Sequence, residues 1–166
     1  MKNILEKLTR EEFNLNNSFY CGYLIYKALE AQRKINDKGL ECSVIYLILP
    51  MVMTKSITET LPATIRTSFY TWFMDNQWIS INLADRINSY IDISNSALKL
   101  LLDFNVITLD GNGCFLLNPS VNLKEPTLFQ SSIHVPLQVK ATRFFSKWFS
   151  ENSPASIYTV LGIKPQ

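Results

Sequence analysis

Residues Val44–Met53 read VIYLILPMVM, ten positions without a charge. A segment that is apolar on every side has no face to give to water, so it is buried in a core or in an interface. It is about half the length of a membrane span. Length alone does not separate helix from strand here. Pro50 disfavours a central strand and kinks a helix, so the expectation is a buried, kinked helix around which the rest of the chain is wrapped.

The 166 residues are expected to form one domain, 1–166, and 47% apolar with 12% aromatic residues suffice for a sizeable core, which excludes disorder. Charged residues make up only 18% of the chain, against about 25% in an average soluble domain. Sixteen basic and fourteen acidic residues leave a net charge of +2, which is no polyanion-binding signature. A small domain with few charges leaves apolar groups on its surface, and such surfaces are commonly covered by another subunit. Cys21, Cys42 and Cys114 are widely spaced, odd in number and set among apolar residues. They are expected to be buried free thiols in a reducing compartment. Met1–Lys7 holds no apolar signal core, so the expected location is cytoplasmic.

Periodicity predicts a helix from Ser18, its N-cap, to about Arg33, with Cys21, Leu24, Ile25, Ala28 and Leu29 on one face and a stop at Asn36–Gly39. Leu61-Pro62 opens the next helix, carrying Ile65, Phe69, Trp72 and Phe73 and ending at Asp75-Asn76. Trp78–Ile81 alternates like a short strand. Leu83–Ile91 reads as a helix, Asp92-Ile93 as a tight turn, and Ser94 as the cap of a second helix ending near Phe104. Val106–Leu109 and Cys114–Leu117 flank the turn Asp110-Gly111-Asn112-Gly113, which makes a β-hairpin. The predicted fold is therefore mainly α with a small β-hairpin. A winged-helix-like core over residues 62–117 is flanked by N- and C-terminal helices. The plainer alternative is an α+β domain with a coincidental hairpin. Asn118–Pro136 reads as a connector. Residues 137–165 form a C-terminal helical segment, whose last helix is capped by Ser153 with Pro154 in its first turn and stops at Gly162.

A DNA-reading helix needs cations aimed at phosphates and polar groups aimed at base edges. The second helix of the expected pair offers Asn95, Ser96, Lys99, Leu100 and Asp103, and the hairpin carries Asp110 but no Lys or Arg. That composition argues against direct DNA reading and for a protein-interaction module. The single histidine, His134, has neither a nucleophile motif nor zinc-ligand spacing around it. Glu11-Glu12 are adjacent and point apart on a helix. Gly111-x-Gly113 lacks the third glycine of a dinucleotide loop, and no phosphate-binding loop occurs. Nothing in the sequence marks a catalytic, cofactor or metal site. Near the C-terminus Phe144, Phe145, Trp148, Phe149 and Tyr158 interleave with Lys140, Arg143 and Lys147. Aromatic and arginine side chains are frequent interface anchors, and alternate aromatics equally serve as core. The three cations share one helix face, which could meet an acidic partner or simply be solvated.

Asn17, Leu49-Pro50, Leu61-Pro62, Trp72, Arg86, Lys147-Trp148-Phe149 and Ile157-Tyr158 through Leu161-Gly162-Ile163-Lys164-Pro165 occur in that order and spacing. The set resembles the middle component of bacterial three-component ABC systems, the group that includes Lamassu-type defence, over nearly the whole chain from Asn16 to Pro165. Ser18 replaces an expected proline, Met53-Thr54-Lys55 stands where a His-Lys pair is common, and Phe145-Ser146 replaces a Leu-Gly step. The resemblance implies a non-catalytic adaptor, an SMC complex subunit between an SMC/Rad50-like ABC ATPase and an effector, commonly a nuclease, in anti-phage or anti-plasmid defence. It implies contact with DNA only indirectly, through the complex, and no membrane or small-molecule substrate. The candidate contact residues are Arg86, Arg143, Lys147, Trp148 and Lys164. The rivals are a winged-helix transcription regulator and a small enzyme built on His134.

Overall fold

The computed structural model describes residues 17–164, the side chain of Leu128 excepted. Glu11-Glu12, the Met1–Lys7 stretch and Pro165 lie outside the described residues. The first helix, α1 (Ser18–Arg33), is capped by the Asn17 side chain, which accepts from the Phe19 amide at 2.8 Å, so the cap falls one residue earlier than the sequence suggests. Its burial is not confined to one stripe. Tyr20 through Tyr26 are all buried, with Ala28, Leu29 and Gln32. Neighbouring elements close over most of its circumference, and its tyrosine hydroxyls find partners inside: Tyr20 donates to Gln138 Oε1, and Tyr26 accepts from the Leu123 amide at 3.2 Å.

After α1 the chain turns through Gly39 into a two-residue strand, β1 (Leu40–Glu41), and directly into α2 (Cys42–Val52). The charge-free run is thus a helix. All of Val44–Val52 is buried except the half-buried Tyr46. Pro50 lies inside this helix and has no N–H to give the Tyr46 carbonyl, so one helical hydrogen bond is missing there. A single turn, α3 (Lys55–Thr58), leads to a loop, and α4 (Phe69–Asp75) begins where Ser68 Oγ accepts from the Thr71 amide. The helix expected from Pro62 therefore starts seven residues later, and it ends at Asp75-Asn76 as predicted.

The expected strand at Trp78–Ile81 is instead a 3-10 turn, Gln77–Ser80. The expected helix–turn–helix over 83–104 is one continuous 21-residue helix, α5 (Leu83–Asp103). Asp92-Ile93 contains no glycine or proline to break a helix, and Ser94 faces the core rather than capping a new one. The inward residues Leu83, Ile87, Tyr90, Ala97, Leu98 and Leu101 keep helical phase across the supposed break.

The hairpin forms as predicted, β2 (Ile107–Leu109) against β3 (Cys114–Leu117), with Asp110 Oδ1 accepting from the amides of Asn112 and Cys114, both at 2.8 Å. The third strand was not anticipated. β1 pairs antiparallel with β3, Leu40 opposite Phe115 and Glu41 opposite Cys114, giving the sheet order β1-β3-β2. The connector contains a 3-10 turn, Thr127–Phe129, and α6 (His134–Glu151) takes Pro136 into its first turn. The last helix, α7 (Pro154–Leu161), has its Ser153 cap and left-handed Gly162 stop where the sequence places them.

α1 packs on α6 and α5, and α2 on α5 and α6. Tyr20 bonds Gln138 and Ala28 bonds Ser146, each pair 118 residues apart, so α1 and α6 run side by side in the same direction.

Gly39 has φ +74°, and a Cβ there would lie 2.4 Å from the Phe115 carbonyl oxygen, a rigid part of the central strand. Gly39→Ala is expected to destabilise the fold by about 2 kcal/mol, read as a thermal midpoint lower by about 5 °C. Burial raises the Cys21 thiol from its ordinary 9.0 to about 12. The stability this supplies is full below pH 9 and is lost as pH rises toward 12. At pH 8 in native buffer, alkylation should therefore reach the half-buried Cys42 and Cys114 first and spare Cys21 until the protein unfolds; mass spectrometry of the labelled protein checks this.

Candidate interaction surfaces

The aromatic residues of the C-terminal segment turn inward. Phe144, Phe145, Trp148 and Phe149 on α6 are buried, as is Tyr158 on α7. Trp148 is 0% exposed. Its ring stacks on Trp72 at 4.9 Å between centroids and meets Phe144 and Phe145 edge-on, while Phe69 of α4 packs against it at 5.8 Å. Its indole N–H donates to the Thr67 carbonyl at 2.8 Å. The indole is a core group and presents nothing to a partner. In the sequence, core and interface are equally open for it, because a cluster of aromatics does not reveal which way its helix is turned.

The cations of α6 do lie outside. Arg143 is exposed, and Lys140 lies over the Phe144 ring at 5.6 Å. Lys147 is half-buried and already engaged: its ammonium donates to the Ile65 carbonyl at 2.8 Å and lies 3.6 Å from Glu151. Arg86 is half-buried on α5 beside Tyr90, and one of its guanidinium nitrogens, NH1, is buried without a hydrogen-bond partner. Desolvation raises the Tyr90 hydroxyl pKa, and the Arg86 charge works against that rise. Ser94 Oγ, further along α5, is likewise buried and unpartnered.

Lys164 belongs to a different place. It is exposed at the edge of a groove of about 400 Å3 between α2, α5 and the end of α7. Tyr46, Ala84, Ile87, Ile91 and Ile163 line it together with Tyr158, whose hydroxyl donates to the Ser43 carbonyl at 2.5 Å and whose pKa burial raises. Tyr46 donates to Asn95 Oδ1 at 2.6 Å across the α2–α5 contact. The five candidate residues therefore form no single site. Arg143 and Lys147 share the α6 face, Arg86 lies on the Tyr90 stripe of α5, Lys164 borders the groove, and Trp148 is beneath the surface. The groove was invisible in the sequence because its walls come from three separate helices.

The solvent side of α5 carries Asp85, Asp92, Lys99 and Asp103, and Lys99 is tied to Asp103 at 2.5 Å. The exposed charge on this helix is thus net acidic, and the hairpin adds Asp110. His134 opens α6, its backbone amide donated to the Ser132 hydroxyl. Among the described residues no three His, Cys, Asp or Glu side chains converge as a metal site, and no helix is long and apolar enough to cross a membrane.

Residues 5–165 match the family described as ABC-three component (ABC-3C) system Middle Component 3. The chain belongs to this family. No curated protein and no solved structure gives a match. Membership makes the chain one component of a multi-protein ABC system. It also gives a place to the ordered residues that carry the resemblance. In this middle component Trp72 and Trp148 are stacked core partners, and Gly162 closes α7 in the left-handed region. Ser146 is a fully buried residue where α6 meets α1, its hydroxyl donating to the Ala28 carbonyl at 2.7 Å.

Trp148→Ala is expected to cost roughly 3–5 kcal/mol of folding stability, seen as a large drop in thermal midpoint. An unchanged midpoint with lost partner binding would return Trp148 to the surface.

Proposed function

We propose that this middle component is a non-catalytic adaptor in a bacterial anti-phage or anti-plasmid complex of the Lamassu type. It bridges an SMC/Rad50-like ABC ATPase and an effector, a nuclease in the reading that the resemblance implies. It works in the cytoplasm and meets DNA only through the assembly. Arg86, Arg143, Lys147 and Lys164 are its contact residues, with Trp148 supporting the α6 face from beneath.

The winged-helix reading keeps its hairpin and changes its helices. The order α1, β1, α2, α5, β2, β3 with sheet order β1-β3-β2 supports reading the fold as a winged helix whose third helix is α5, with the 55–80 segment inserted ahead of it. On this reading the core would run over 18–117 in place of the expected 62–117. In such an arrangement α5 is the helix a DNA reader would aim at the groove.

The observation that carries the adaptor reading is the charge of that helix. Asp85, Asp92 and Asp103 against Lys99 would repel phosphates, and the hairpin supplies no cation to offset them. A module with this topology and this surface is suited to protein contacts.

The test is co-expression of the full chain with its genomic neighbours, followed by tagged purification and mass determination. The ATPase and the effector are expected to co-purify at fixed stoichiometry, while the chain alone shows no salt-dependent shift of duplex DNA. A lone monomer or dimer that binds duplex more tightly as salt falls would replace the adaptor with a transcription regulator.

A further inference from the structure

We infer that the groove between α2, α5 and α7 is the seat of an amphipathic helix supplied by a partner protein, with basic residues on one edge of its apolar face. The inference rests on the adaptor reading and names the chemistry of one of its contacts.

The wall that α5 gives the groove is the stripe Ala84, Ile87, Ile91 and Asn95, spaced so that successive residues fall on one side of a helix. Rotated inward from it are the buried Leu83 and Ser94; rotated outward are the exposed Asp85, Asn88 and Asp92. The two carboxylates therefore stand on the outer rim, seven residues or about 10 Å apart along the axis. Between Thr67 and Leu98 the one basic residue is Arg86, which lies on the Tyr90 side of α5 rather than on this rim. No ion pair to Asp85 or Asp92 forms among the described residues, in contrast to Lys99–Asp103 on the same helix. Lys164 borders the groove from the tail of α7.

An apolar trough with two unpaired carboxylates on one rim and a cation bordering it from the tail fixes the complement. A helix lying along α5 would set apolar side chains into the trough, Lys or Arg about two turns apart against Asp85 and Asp92, and a carboxylate toward Lys164. Just ahead of α5, Trp78 and Ile81 are 41% and 66% exposed, so further apolar surface flanks the approach.

The test uses the full chain co-expressed with its ATPase and effector. Asp85 and Asp92 are exposed, so Asp85→Lys/Asp92→Lys is expected to keep the thermal midpoint and circular dichroism of the parent while recovery of one partner falls by about tenfold or more. Asn88→p-benzoylphenylalanine should crosslink to that same partner, at a segment with the apolar and basic spacing given above. If the parent complex forms and the charge-reversed variant retains both partners at parental stoichiometry, the groove inference fails and the adaptor reading stands. Crosslinks to a second copy of this chain, or to an acidic segment, overturn the inference equally. If the parent chain recovers neither partner, the adaptor reading fails and the inference falls with it.

Discussion

The parallel contact between α1 and α6 organises everything around it. Two helices running in the same direction cannot be joined by a short loop, so the whole of residues 34–133 is used to return the chain to the starting end. That excursion supplies the sheet, α2, α5 and the connector, all packed about α1. The closeness of the pair depends on Ser146. A small residue there lets α6 approach α1, and its hydroxyl bonds the Ala28 carbonyl in a place sealed from water, where an unpaired hydroxyl would be costly. On the side of α1 that faces α5, Gly22 lies against Leu101.

A second constraint keeps the 59–68 loop in place although it has little regular structure of its own. Trp72 donates its indole N–H to the Thr60 carbonyl, Lys147 its ammonium to Ile65, and Trp148 its indole N–H to Thr67. Three side chains from α4 and α6 thus satisfy carbonyls of one loop, and two of the three are the stacked tryptophans of the core. The aromatic cluster that suggests an interface in the sequence is instead the clamp that fixes the position of α4 relative to α6. Interaction is left to surfaces outside this tryptophan cluster: the cations of α6, and the groove along α5.

The charge of α5 links fold and function. A long helix followed by a hairpin is an arrangement nucleic-acid readers use, and the same arrangement with carboxylates outward suits a different class of partner. Net charge near zero for the whole chain conceals this, because the basic residues are gathered on α6 and elsewhere while α5 is acidic on its solvent side. Membership of the middle-component family agrees with a subunit whose surfaces are made for other proteins.

The sequence by itself determined the features that are local. The burial of Val44–Met53, the Asp110–Gly113 turn and its hairpin, the Ser153 cap with Pro154 behind it, the Gly162 stop and the length of α1 each follow from a few neighbouring residues. The family, too, was legible in the order of short motifs. Tertiary structure alone decided the rest. β1 is two residues long and exists because β3 offers it an edge, which no propensity over two residues can announce. The continuity of α5 across Asp92-Ile93 follows from the core that its inner face meets on both sides of that point. Trp148 faces inward because α4 brings Phe69 and Trp72 to it, and the groove exists because α2, α5 and α7 come to lie side by side. Each of these depends on contacts between residues far apart in the chain, and a local pattern carries no record of such contacts.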